Sequence, residues 1–152
     1  MALVKYININ PNGGVPKYAV ENAFISTQKV SGDKQNDLKH HGGFSRAVCL
    51  YSFELICSLQ KEGHPIKPGS TGENITLEGL NWSLMKEGLK LAIGNVEIEL
   101  TGPAAPCKTI ANSFKEGKFI RISEKIHPQS SRWYAKVLKE GVVYKNDSVA
   151  LL

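Results

Sequence analysis

"LAIGNVEIELTGPAAPCKTI", residues 91–110, decides the fold. Two runs of β-formers, Lys90–Ile93 and Val96–Thr101, flank Gly94-Asn95, a two-residue hairpin signal. Outward from this hairpin the same strand grammar recurs. "ALVKYINI" (2–9) alternates and is rich in β-formers, and "KYAVENAFISTQKV" (17–30) predicts one long or two short strands. Ile75–Leu77 reads as a short strand, and "RWYAKVLKEGVVYKNDSVALL" (132–152) as strand, turn at Glu140-Gly141, and more strand. "RAVCLYSFELICSLQKEG" (46–63) begins as a buried strand and turns helical near Ser52. Phe53, Ile56, Cys57 and Gln60 fall at helical spacing, which turns Cys57 toward the core, and Gly63 supplies the stop. From Pro106 the chain reads as helix, breaking near Gly117. No strand–helix–strand alternation supports a parallel sheet, so the expectation is a mainly β fold, a barrel with a few peripheral α-helices.

Length and composition bound the function. The chain has 152 residues, 41% apolar and 22% charged, which suits one domain (1–152) with one core. The absence of a membrane-spanning apolar run and of a basic, apolar leader predicts a cytoplasmic protein without a membrane partner. Net charge is +5, but the lysines are scattered and aromatics are only 8%. That pattern favours anionic small-molecule ligands and gives no nucleic-acid signature. The three cysteines, Cys49, Cys57 and Cys107, include no C-x-x-C pair and no usual zinc spacing.

Four stretches carry candidate chemistry. In "PCKT", Pro106 suits a first helical position, which puts Cys107 in the first turn. Backbone N–H groups, the helix dipole and Lys108 then favour a thiolate able to act as nucleophile, persulfide carrier or soft metal ligand. Taken locally, a small buried cysteine is the competing reading. In "KHHGG" (39–43), Gly42 and Gly43 let backbone N–H groups approach an anion and His41 donates to it; a solvated turn fits equally well. In "GSTGENIT" (69–76), Gly72 makes a tight turn while Glu73 and Asn74 offer an acceptor and an amide, or simply cap their own loop. "GDKQ" (32–35) adds Asp33 and Gln35. Arg46, Arg121 and Arg132 are candidate phosphate clamps, because guanidinium matches phosphate geometry.

The order of these pieces says more than any one of them. "GDKQNDLKHHGGFSRAVCLYS", "GSTGENITLEGLN", "LAIGNVEIELTGPAAPCKTI" and "RWYAKVLKEGVVYKNDSVAL" follow one another over about residues 32–151. The set resembles the MOSC domain, named for the C-terminal domain of molybdenum cofactor sulfurases, in a stand-alone form of bacterial type. The resemblance implies a β-barrel of the pyruvate-kinase-barrel type. It also implies a molybdopterin-type molybdenum cofactor, or a sulfur-carrier role toward metal-sulfur centres. The family's key cysteine matches Cys107, as molybdenum ligand or persulfide acceptor. Asp33, Gln35, His41, Gly42, Gly43, Arg46, Gly72, Glu73, Asn74, Lys108, Arg121 and Arg132 are the implied ligand-binding set.

The chain carries neither the pyridoxal-phosphate domain nor the iron-sulfur cysteine set of larger relatives. A cysteine desulfurase or a reductase is therefore the expected partner, the latter for reduction of N-hydroxylated compounds. A non-catalytic ligand-binding barrel is the remaining alternative. Many relatives read P-R-x-P-C where this chain has Pro103-Ala104-Ala105-Pro106-Cys107, leaving Lys108 or Arg121 as the substitute cation.

Overall fold

The computed structural model describes residues 1–34 and 43–152. Among these residues, ten strands, one α-helix and five short 3-10 segments form the fold. The strands are β1 (Ala2–Ile9), β2 (Tyr18–Val20), β3 (Asn22–Ile25), β4 (Val48–Ser52), β5 (Ile75–Glu78), β6 (Lys90–Ile93), β7 (Val96–Pro103), β8 (Trp133–Lys139), β9 (Gly141–Tyr144) and β10 (Ser148–Leu151). Seven of them run β10-β6-β7-β8-β4-β5-β1, and β1 then pairs back onto β10, which closes a barrel.

β1 does three jobs. One edge pairs with β5 and the other is shared, β10 at Ala2–Leu3 and β2 at Ile7–Ile9. Closure removes the free edges that an open sheet must otherwise protect. The β6–β7 hairpin forms as its sequence predicts, with Ile93 opposite Val96 and Gly94 at φ 56°. Leu50, Ile75, Leu77, Leu91, Ile93, Ile98 and Leu100 are all buried in the one large core. Each such side chain contributes about 1.5–3 kcal/mol relative to exposure.

One local expectation is resolved and two are corrected. Residues 17–30 form two strands that separate: β2 stays on the barrel while β3 pairs with β9 in a two-stranded ribbon. In α1 (Phe53–Lys61), capped by the Ser52 hydroxyl on Leu55 N–H, the buried residues are Ile56 and Leu59, and Cys57 is only half-buried. The helix expected from Pro106 is a chain of 3-10 segments, Lys108–Ser113, Lys115–Gly117 and Phe119–Ile122. Phe114 is extended, and Glu116 and Gly117 take φ 55° and 68°, so the α ladder cannot propagate. Among the described residues, no helix is long and apolar enough to cross a membrane.

Candidate functional site

Strand register brings the separate motifs to one level. Cys49 on β4 faces Tyr134 on β8, Tyr134 faces Gly102 on β7, and Asn74 sits one residue before the parallel pairing of Ile75 with Leu50. Adjacent strands are about 5 Å apart, so residues distant in sequence become a continuous tier. Alternation sends Tyr134, and Arg132 just before β8, to one side and Trp133 to the other. Accordingly Cys49, Ala104 and Tyr134 form a small cluster apart from the main core, to which Leu50 and Trp133 belong.

The floor of this tier is a bonded network. Asn74 accepts from Cys49 N–H (3.0 Å) through its amide oxygen and donates to Asp33 Oδ2 (3.0 Å) through its amide nitrogen. Asp33 also accepts from Asn10 N–H (2.8 Å) and pairs with Lys17 Nζ (2.5 Å). Glu73 is wholly buried. Its oxygens accept from Gly69 N–H (3.0 Å), Thr71 Oγ1 (3.0 Å) and Thr76 Oγ1 (3.1 Å). Burial pushes its carboxyl above the ordinary glutamate range, and these hydrogen bonds pull it partly back. Glu73, expected to face a ligand or take its proton, is thus committed to its own loop. Gly69, at φ 83°, lies against the Lys17 carbonyl, which any side chain would strike.

Arg132 lies directly above. It is 4% exposed, and its Nη1 donates to the Thr71 carbonyl (2.5 Å). Its Nε–H is buried with no partner among the described residues. Burial raises the Cys49 thiol to about 11 and pushes the Tyr51 and Tyr134 phenols well up, and in all three the Arg132 charge opposes the shift. The guanidinium is therefore electrostatically central.

Cys107 stands at the rim, half-buried, with Thr109 Oγ1 2.8 Å from its sulfur. It precedes the first 3-10 segment, at φ −142° and ψ 175°. The expected first turn of an α-helix is not its setting, and the dipole argument built on that position lapses. Cys107, Arg132 and Arg46 all act electrostatically on the Tyr134 phenol, so these residues share one neighbourhood. Ala104, in the arginine position of P-R-x-P-C, is fully buried; its N–H donates to the Arg132 carbonyl (2.9 Å).

Other expected residues fall as follows. Gly43 (φ 77°) precedes the 3-10 segment Phe44–Arg46, whose last residue places its guanidinium 5.1 Å from the Tyr134 ring centroid. Gly72 takes φ 87° and closes the tight turn before Glu73, its N–H donating to the Gly69 carbonyl (3.1 Å). Lys108 is exposed. Arg121 forks onto Glu62 (2.9 and 2.8 Å) beside a surface groove with His64, Lys118 and His127, so its donors are taken by a carboxylate. Gln35, His41 and Gly42 lie outside the described residues. Cys49, Tyr134, Lys17 and Thr109 were not singled out by sequence. Tyr134 was within reach, two positions from Arg132 on the same strand face; the others needed the register.

Comparison with known proteins agrees with this geometry. The profile of the MOSC domain matches residues 37–150. The YflK protein of Bacillus subtilis is 26% identical over 142 residues, 91% of this chain and 63% of its own length. A protein of Gibberella moniliformis named "Reductase" is 28% identical over 134 residues, 85% of this chain. The chain spans only 23% of that protein. Among solved structures, YiiM from Geobacillus stearothermophilus superposes with a TM-score of 0.75 at 23% identity, covering 100% of this chain and 75% of its own. The YuaD protein from Bacillus subtilis has a TM-score of 0.73 at 17% identity, covering 98% and 94%. The closed barrel, the meeting of the G-D, G-E-N and P-C segments at one rim, and the profile match over most of the sequence lead to one conclusion: the chain belongs to the MOSC domain family.

Proposed function

We propose that the rim binds an anionic molybdenum cofactor of the molybdopterin type and that Cys107 is its protein ligand to the metal. The observation that carries this reading is that a half-buried thiol and a buried guanidinium, whose Nε–H has no partner among the described residues, both act on Tyr134. The donor set fits the group: a soft sulfur for the metal, and cationic Arg132 and Arg46 for negative charge. When bound, such a cofactor supplies two-electron oxygen-atom chemistry, suited to reduction of N-hydroxylated compounds with a reductase partner.

The chain's own residues hold and orient. Thr109 fixes the direction of the Cys107 sulfur through their 2.8 Å contact. Arg132, roofed by the Thr71 carbonyl, presents fixed positive charge. Asn74 and Asp33, spent on the fold and not on the ligand, tie the 69–74 loop to β4 and so hold the loop that Arg132 is bonded to.

A second reading is a sulfur carrier, favoured by the partial exposure of Cys107. The Cys107 thiolate attacks the outer sulfur of a desulfurase persulfide. A new S–S bond forms on Cys107, the donor's S–S bond breaks, and the donor leaves as its thiolate. Molybdenum content of protein from cofactor-producing cells, with and without Cys107→Ala, tests the first reading: metal in wild type and loss in the variant is expected, and metal in neither overturns it. Transfer of labelled sulfur from a desulfurase tests the second, which falls when Cys107 acquires none.

A further inference from the structure

We infer that the groove between His64 and the 118–127 segment docks an acidic stretch of a partner protein, one that carries a single large apolar side chain among carboxylates. The groove shares no lining residue with the Tyr134 neighbourhood of the rim, and the inference stands on either reading of Cys107.

The groove has a volume of about 420 Å³ and is lined by His64, Lys118, Ile120, Arg121 and His127. That is within the range of ligand-sized clefts, about 300–1,000 Å³. The surface exposed inside it is almost wholly apolar. Lys118 and Arg121 therefore contribute their aliphatic stems, and their charged heads sit at the edge. The walls are braced from behind. Arg121 forks onto Glu62 through Nε and Nη2 (2.9 and 2.8 Å), and its Nη1 reaches Ser130 Oγ (3.3 Å). His64 Nδ1 accepts from Lys115 N–H (3.0 Å), and its ring meets Phe114 edge-on. A cleft whose walls are already ordered loses little freedom when a segment enters it. Ile120 is nevertheless 48% exposed on this wall, and Ile126 of the same segment is 61% exposed. Uncovered aliphatic surface with charge at its edge has the anatomy of a protein interface, an apolar centre and a polar rim.

Charge decides the occupant. Residues 108–127 hold five Lys and Arg against two Glu. Both acids are engaged: Glu116 Oε2 lies 3.6 Å from Lys118 Nζ, and Glu124 Oε1 accepts from Gln129 N–H (2.7 Å). Glu62, facing them from the end of α1, is taken by Arg121. Lys108 and Lys125 are exposed and make no ion pair among the described residues. The surplus is therefore positive, and carboxylates complement it. A second copy of this chain, at net charge +5, would bring like charge. A lipid surface suits a protruding amphipathic helix, whereas this is a recess beside short 3-10 segments. No Phe, Tyr or Trp lines it to stack on a nucleobase.

The test uses the nitrogen-15-labelled full chain at low salt and three end-blocked peptides: Glu-Asp-Leu-Asp-Glu, the same peptide with Ala for Leu, and Lys-Lys-Leu-Lys-Lys. The acidic leucine peptide should bind, shift the amide resonances of Lys118, Ile120 and Arg121, and weaken as salt rises above about 0.1 M. Loss of its leucine should weaken binding several-fold, and the basic peptide should not bind. Ile120→Asp should lose at least about tenfold in affinity, since it puts a like charge where the anchor sits. Lys118→Glu should lose several-fold. Both side chains are exposed, so both variants should melt with wild type.

No binding of the acidic peptide, equal binding of the basic one, or binding indifferent to Ile120→Asp overturns the inference. Phosphatidylglycerol vesicles that take up wild type but not Ile120→Asp, with the peptide unbound, make a lipid surface the occupant. A wild-type dimer that dissociates in Ile120→Asp makes the occupant a second copy. Either result also overturns it.

Discussion

The 69–74 loop and the 104–109 stretch were both marked by their polar or reactive residues, and they use them in opposite ways. In the loop nearly every polar atom is spent on the fold: Glu73 on its own turn, Asn74 on Cys49 and Asp33, Gly69 on the Lys17 backbone. At the rim, the Cys107 sulfur has Thr109 Oγ1 as its one hydrogen-bond partner among the described residues, and Lys108 is exposed. The difference separates a region that holds a site in place from one that is free to meet a ligand. Buried donors and acceptors must be paired within the chain, whereas a rim group keeps water or ligand as a partner.

The comparison is broken most severely at Glu73. Glu73→Ala leaves the Gly69 N–H and two threonine hydroxyls without their buried acceptor; a loss of about 3–5 kcal/mol is expected by urea unfolding. Glu73→Gln is milder and sharpens the electrostatics. Because burial raises the folded Glu73 carboxyl above its unfolded value, the native state holds the proton more tightly. Its contribution is therefore full below the ordinary glutamate range and is lost as pH rises through the raised folded value. The stability difference between wild type and Glu73→Gln should shift against wild type as pH rises, and a pH-independent difference would refute the buried charge.

Asn74→Ala comes next, at about 1–3 kcal/mol, since it strands Cys49 N–H and one Asp33 contact. The thiols give a chemical version of the same contrast. With Cys49 buried and raised to about 11, iodoacetamide at pH 8 should label Cys107 in the folded protein and leave Cys49 unmodified, as read by mass spectrometry. Cys107→Ser should have the smallest stability effect, within about 0.5 kcal/mol, while abolishing molybdenum or sulfur loading. A large loss of stability there would move Cys107 into the structural region and erase the contrast.

Several elements were legible without coordinates. β1, the β6–β7 hairpin, the strand-to-helix switch at Ser52 and the stop at Gly63 follow from alternation, turn chemistry and capping, all of them local. The 3-10 character after Cys107 was not legible, because Pro106 also suits an α-helical start and the breaks at Phe114 and Glu116 depend on packing. The split of β2 from β3 was likewise hidden. The partner of β3 is β9, more than a hundred residues away.

The site divides along the same line. The sequence by itself singled out Asp33, Asn74, Glu73, Arg132 and Cys107 as candidates and determined that the fold is a β-barrel of the MOSC type, because residue identity and motif order carry that information. Only the tertiary structure decided which of them face inward. Barrel closure and strand register set Cys49, Asn74, Tyr134 and Gly102 at one level. At that level Glu73 became part of the floor and Arg132 a buried cation with an unmet donor. Those roles arise from pairing between strands far apart in the chain, which fixes burial and hydrogen-bond partners in a way no local pattern encodes.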